Sequence, residues 1–293
     1  MKPLSYLIQY WALELLGLIF RLLPPGFSRC LGSILGLLAY RLGIRREVAL
    51  SNLKRVFPDR PQRWRKAIAG RMYNNLGQNL AELLRFPLMS GADVREIVEF
   101  RGSEHFDQAL KKGRGALLIT AHFGNWELFG AAIAGAGYPL SVVVYPQHNR
   151  WVDESLNRLR RGKGVEIIYK REAAREIFRA LKQNRFVAIL ADQDAGPNGI
   201  FVDFLGHPAS TARGPAVFAI KSGAPLLTGA LVRNGPARHI GYIDPPIYAD
   251  PSAPAEAEVR RLTRLITDNL CRYIRQHPDH WYWVHKRWKT KPH

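Results

Sequence analysis

The sequence predicts an α/β fold: a central mixed or parallel sheet flanked by helices, preceded by a hydrophobic helical segment for membrane attachment. Three observations carry that expectation. Short apolar runs of strand length alternate with stretches of helical periodicity from about residue 97 to residue 275. The first 46 residues instead hold two apolar stretches with a Pro24-Pro25-Gly26 break between them. The 293 residues are 47% hydrophobic, enough for one large core, and no internal repeat or low-complexity run divides them. The expected organisation is an attachment segment at 1–46 and one domain at 47–293.

In chain order, Leu4 to Leu23 is apolar but interrupted by Glu14 and Arg21. It approaches the roughly 20 residues that span a bilayer, yet its charges leave two readings open, a poor transmembrane span or, with the next stretch, a helical hairpin lying in one leaflet. Phe27 to Ile44 is the second stretch. A cleaved leader is not expected, because Lys2 alone serves as a basic region and no small-residue cleavage site follows. Two core helices would account for these stretches. Tyr6, Tyr10 and Trp11, with Arg21, Arg29, Arg41, Arg45 and Arg46, instead suit an interface with anionic lipid. Trp64 to Phe86 has helical character and Pro87 closes it. Strands are then expected at Ile97–Arg101, Ala116–Thr120, Ser141–Tyr145, Val165–Tyr169, Phe186–Ala191, Pro225–Arg233 and His239–Asp244. Helices are expected after Ser103, around Leu128–Ile133, and at Trp151–Arg161, Arg171–Lys182, Gly214–Ser222 and Pro254–Arg275.

Charge narrows the partners. With 43 Lys+Arg against 24 Asp+Glu the formal net charge is +19, which favours nucleic acid, an acidic membrane surface or phosphorylated substrates. The two cysteines, Cys30 and Cys271, are too few and too isolated for a disulfide framework or zinc site and fit a reducing compartment. The sequence contains no G-x-S-x-G, Walker A, G-x-G-x-x-G or H-E-x-x-H signature.

The chemistry concentrates at Leu117–Leu128. An apolar strand runs into a turn carrying His122, Gly124 and Asn125, with Glu127 just inside the following helix. Five residues apart, His122 and Glu127 would not share a face of a continuous helix. A strand–turn–helix path folds back, so Glu127 is expected to meet His122 and orient it as a general base. A loop histidine beside a glutamate favoured by the helix dipole is the plainer account. Asp192-Gln193-Asp194 follows another apolar strand, where α/β sheets bind ligands. Further polar stretches are Tyr145–Arg150, the arginine-rich Asn157–Gly164, and Phe204–Pro215. His280–Lys289 interleaves aromatic and basic residues. That tail would suit stacking on nucleic acid, anchoring at a membrane interface, or a plain terminal strand.

Taken together these residues resemble the bacterial lipid A biosynthesis acyltransferases, relatives of the phosphatidylinositol mannoside acyltransferases and the wider lysophospholipid acyltransferase superfamily. The likeness runs through nearly the whole chain. It rests on the apolar N-terminus, Asn52-Leu53 with Phe57-Pro58, the H-x4-E pair His122 and Glu127, Asp192-Gln193-Asp194, Gly206 with Pro208-Ala209, and Trp283–Lys289. The resemblance implies a membrane-associated O-acyltransferase that moves a fatty acyl chain from a thioester, acyl carrier protein or acyl-CoA, to a hydroxyl of a lipid A precursor. His122 and Glu127 would be catalytic, with Glu127 orienting His122. Asn125, Arg150, Arg160, Asp192, Gln193 and Asp194 would bind substrate. A separate expectation, from the turn itself rather than the resemblance, is that backbone N–H groups near Gly124-Asn125 hold the oxyanion. The resemblance implies no cofactor, no metal and no nucleic acid, and a place on the cytoplasmic face of the inner membrane. A different lysophospholipid or glycolipid acceptor served by acyl-CoA is the nearest alternative. A basic nucleic-acid-binding protein would explain the charge and the tail, but not the apolar N-terminus or the His122–Glu127 spacing. A membrane scaffold with an inert histidine is the third.

Overall fold

The structure is a computed structural model that describes residues 2–169 and 173–292. Two N-terminal helices, α1 (Lys2–Leu22) and α2 (Pro25–Arg41), precede α3 (Arg46–Val56) and the long α4 (Gln62–Leu84). A 3-10 turn at Phe86–Leu88 leads to α5 (Gly91–Ile97), whose start is a capping box between Ser90 and Asp93. Then follow β1 (Val98–Arg101), α6 (Glu104–Leu110), β2 (Ala116–Thr120), α7 (Trp126–Gly135), β3 (Leu140–Val144), α8 (Arg150–Arg161) and β4 (Val165–Tyr169). The remainder is α9 (Ala173–Lys182), β5 (Phe186–Leu190), β6 (Ile200–Phe204), β7 (His207–Thr211), α10 (Gly214–Ser222), β8 (Leu226–Arg233), β9 (His239–Ile243) and α11 (Ala255–Gln276). The expected helix start at Arg171 lies outside the described residues.

Seven strands form one mixed sheet in the order β1-β9-β8-β2-β5-β3-β4, antiparallel only between β8 and β9. β2 is buried along its whole length, as a central parallel strand covered on both faces must be. Its side chains alternate between two cores: Leu117 and Ile119 join one, Ala116 and Leu118 the other. β2 and β5 lie side by side in register, Thr120 opposite Leu190. The C-terminal ends of both strands therefore open at the same place.

The hairpin β6–β7 forms a separate two-stranded sheet that the sequence did not announce. Pro208 inside β7 argues against a strand, and the turn uses Leu205 and Gly206, both at positive φ. A leucine in that conformation hides the usual glycine-asparagine turn signature. Nor do the described residues of the tail form a strand: beyond α11 they make one bridge, Phe123 to Trp281, and otherwise turn.

The N-terminal helices pack in an unusual way. The face of α2 turned towards α4 is small, with Ser28, Gly32 and Gly36 buried. A Cβ on Gly36 would lie 2.0 Å from the Tyr73 carbonyl oxygen, and one on Gly77 would lie 1.9 Å from that of Gly32. The two backbones touch, as in helix pairs built on small residues four apart. Gly36→Ala cannot be relieved by a side-chain rotation and is expected to cost about 1–3 kcal/mol, the range for overpacking. A Tm lower by several degrees in thermal unfolding would show it; an unchanged Tm would mean the helices can part freely.

Phe20 of α1 is buried against Ala81 and Leu84, but many of the other large apolar side chains of α1 and α2 point out. Leu4, Ile8, Trp11, Leu15, Phe27 and Ile34 are all exposed. Among the described residues no single helix is long and apolar enough to cross a membrane. The bent pair α2–α3, with 84° between its helices, reaches that length and composition only together.

Candidate active site

His122 and Asp192 each stand two residues beyond the Thr120–Leu190 pair, so the parallel register of β2 and β5 delivers them side by side. His122 Nδ1 is 2.9 Å from Asp192 Oδ1, and the His122 backbone N–H donates to Oδ2 at 3.1 Å. Trp281 Nε1 donates to the same Oδ2 at 2.7 Å. The Asp192 side chain is 2% exposed and that of His122 26%. Burial pushes the Asp192 carboxyl up, but the facing imidazole and the hydrogen bonds from His122 and Trp281 outweigh it. The group is held below the usual carboxylate range. A carboxylate on Nδ1 fixes the proton there and leaves Nε2 as the basic nitrogen.

The remaining walls come from distant segments. Trp126 meets the imidazole edge-on at 5.3 Å and Tyr282 lies 6.0 Å away. The Gln193 amide stands 3.3 and 3.4 Å from the two ring nitrogens. Tyr282 N–H donates to the His122 carbonyl, and His280 accepts from Gly124 N–H at 2.8 Å. The tail is held in turn by Asn52 of α3, whose amide donates to the Trp283 and His285 carbonyls, both at 2.7 Å. Gly124 has φ +55°, and a Cβ there would sit 1.6 Å from the Leu231 carbonyl oxygen, so only glycine can make this turn.

Several expected contacts differ. No hydrogen bond joins Glu127 to His122. Its oxygens accept from Arg160 Nε at 2.8 Å and Nη2 at 2.5 Å, a bidentate pair in which both partners are largely buried. The first turn of α7 directs Glu127 to α8 rather than back over the loop. Arg160 is thus held by Glu127, and burial, which lowers its pKa, is outweighed by that carboxylate. Asn125 is buried and faces the interior: its Oδ1 caps α7 by accepting from Leu128 N–H at 3.0 Å, and its Nδ2 donates to Glu82 at 2.7 Å. The Gly124 N–H, engaged by His280, is not open to an oxyanion. The first-turn N–H groups of α7 at Trp126 and Glu127 lack helical partners instead. Asp194 is tied to the tail, accepting from Thr290 Oγ1 at 2.8 Å and donating its N–H to His285 Nε2 at 3.1 Å. Arg150 is exposed and stacks on Trp151, its guanidinium carbon 5.1 Å from the ring centre.

A model of the bacterial lipid A biosynthesis acyltransferases matches residues 1–290. The chain belongs to that family. It is an acyltransferase. It is 28% identical over 296 residues to the lipid A biosynthesis palmitoleoyltransferase of Escherichia coli, covering 98% of this chain and 92% of the relative. It is equally 28% identical to the lipid A biosynthesis lauroyltransferase of the same organism, over 98% and 93% of the two chains. A phosphatidylinositol mannoside acyltransferase of Mycobacterium tuberculosis is 27% identical over 72% of this chain and 67% of its own.

The acyltransferase also carries a buried polar cluster beneath the turn that the sequence did not reveal. Glu82 of α4 accepts from Arg233 Nη1 at 2.6 Å and Nη2 at 2.8 Å, besides Asn125. Asn79, one turn earlier, donates to the Gly124 carbonyl at 2.6 Å and accepts from Arg233 at 2.9 Å. Asn79 and Glu82 lie in a helix of mixed polarity, and nothing local separates them from a solvated face. Only a helical spacing of three residues, which puts both on one side, was available as a signal.

Proposed function

We propose that the protein transfers a fatty acyl chain from a thioester donor to a hydroxyl of a lipid A precursor, with His122 as general base and Asp192 as the group that orients it. The His122–Asp192 pair at the adjoining ends of β2 and β5, its carboxylate buried and its imidazole partly exposed, carries this reading. In the proposed step His122 Nε2 takes the acceptor's hydroxyl proton while the oxygen attacks the thioester carbonyl. The carbon–sulfur bond then breaks, and the imidazolium returns its proton to the departing thiolate. No acyl-enzyme is required. The first-turn N–H groups of α7 and the Arg160 guanidinium are the donors we assign to the developing oxyanion, with Glu127 positioning Arg160. Gln193 is assigned to the acceptor side, and Arg150 to an anionic group on donor or acceptor. A donor on acyl carrier protein suits a +19 enzyme, because such carriers are acidic.

The test is acyl transfer by the detergent-purified enzyme, offered acyl-acyl carrier protein or acyl-CoA with a Kdo-bearing lipid A precursor. Acylated precursor is the expected product. Product only with a phosphatidylinositol mannoside and acyl-CoA would move the assignment to the second reading, which the mycobacterial relative favours. Within the site, Asp192→Asn is expected to lower kcat by about 10²-fold, as misplacement of a catalytic group does. Glu127→Gln should act instead through Arg160, and restoring activity by shifting its partner would distinguish the two. If Asp192→Asn kept full kcat, Asp192 would not be the orienting group.

We assign residues 1–46 to attachment at the cytoplasmic face of the inner membrane, supported by the outward apolar side chains of α1 and α2. Ile8, Trp11 and Phe27, at 62%, 61% and 69% exposure, would insert among the lipids. Replacing all three by glutamate should abolish flotation with vesicles while leaving the circular dichroism of the fold intact. Undiminished flotation would sink this assignment.

A further inference from the structure

A cleft of about 460 Å³ opens between α1 and α8, on a side of α8 that carries no part of the site described above. Its floor is apolar, with Phe86 and Leu159, and its polar lining is Arg21, Arg158, Lys163 and Glu14. Three cations face one carboxylate, and that carboxylate is already engaged: Glu14 accepts from the Ser155 hydroxyl and lies 3.9 Å from Arg158. Lys163 donates to the Met89 carbonyl, and burial pulls its pKa down.

Arg21 is the informative member. A cation in the last turn of a helix ordinarily serves the free carbonyls there. At the end of α1 that duty falls to Arg85, which donates to the carbonyls of Phe20 and Leu23. Arg21 folds back along its own helix, its Nη2 3.5 Å from where a Cβ on Gly17 would be, and among the described residues it has no hydrogen-bonded or ion-paired partner. Gly17 leaves the space for that path. The excess positive charge in the cleft is therefore unmatched by the protein. Guanidinium and ammonium groups gathered over an apolar floor match the oxygens of a phosphate group.

We propose that the cleft between α1 and α8 binds a phosphate group. Two sources share that chemistry, a lipid headgroup and free phosphate. Binding there would also brace α8, and with it Arg160, against α1, which already holds the start of α8 through Asn149 donating to the Tyr6 carbonyl at 2.8 Å.

The experiment titrates three probes into the detergent-purified full chain: monomeric dihexanoyl phosphatidic acid, dihexanoyl phosphatidylcholine and inorganic phosphate. Binding is read by calorimetry at fixed ionic strength. The variants are Arg21→Gln/Arg158→Gln and, as a control of equal charge loss on α11, Arg260→Gln/Arg264→Gln. Saturable binding of phosphatidic acid, weakened at least tenfold in the first variant and unchanged in the second, is the expected result. Tighter binding of phosphatidic acid than of inorganic phosphate assigns the cleft to a lipid, and equal binding assigns it to free phosphate. Equal weakening in both variants would reduce the effect to diffuse surface charge and overturn the proposal. So would no saturable binding of any phosphate-bearing probe, or binding that both variants retain.

Discussion

His122→Ala is expected to lower kcat for acyl transfer by about 10²–10⁴-fold, the range that general base catalysis supplies. On the proposed mechanism the acceptor hydroxyl would lose the group that takes its proton, while the first-turn N–H groups of α7 would stay in place. KM for the acceptor should change far less than kcat, because the imidazole contributes mainly in the transition state. The fold should be preserved. His122 is partly exposed, and the turn is held by Gly124 N–H on His280, Asn79 on the Gly124 carbonyl and Asn125 on Glu82. A kcat within threefold of wild type, measured on protein of unchanged Tm, would remove His122 as the base.

Glu82→Ala should produce the largest loss of stability. Its carboxylate is buried and accepts three charged or polar donors, and removing it strands the Arg233 guanidinium, whose side chain is 8% exposed. Breaking one side of a buried ion pair typically costs about 3–5 kcal/mol. Denaturant unfolding would read the cost directly. Removing both charges with Glu82→Leu/Arg233→Met should recover much of the stability, because paired deletion leaves no buried ion. Activity should stay low in that double variant, since Asn125 loses Glu82, its partner beneath the turn, and Asn79, which holds the Gly124 carbonyl, loses its own contact with Arg233. If activity returned with stability, the cluster would be a packing feature alone.

The same group gives stability an acid limb. Burial raises the Glu82 carboxyl, but the hydrogen bonds and charge of Arg233 bring it below the ordinary glutamate range. A depressed folded-state pKa contributes stability that is present above the unfolded value, about 4.3 for glutamate, and is lost as pH falls through the folded one. Asp192 adds in the same direction. Unfolding free energy should therefore fall below about pH 4.3 less steeply in Glu82→Gln than in the wild type.

What could be read locally was read. Apolar runs such as Ala116–Thr120 and Phe186–Leu190 are strands, the proline and glycine breaks fall between elements, and the helix from Ala255 follows its periodicity. His122, Asp192 and Gln193 were legible as polar residues following buried strands. Their meeting was not, because it depends on β2 and β5 being neighbours with Thr120 opposite Leu190. The H-x4-E spacing suggested a local pair, yet the helix that begins at Trp126 carries Glu127 to Arg160, 33 positions away in the chain. The tail showed its aromatic and basic composition but not that Trp281 would hold Asp192. Arg233 gave no sign, and Asn79 and Glu82 gave only their helical spacing of three residues, which does not separate a buried face from a solvated one. Sequence fixes what each segment prefers through short-range sterics and burial. Strand order, register and the packing of α4 under the turn decide which distant side chains share one hydrogen-bonded site, and only that sharing sets the His122 imidazole on a buried carboxylate.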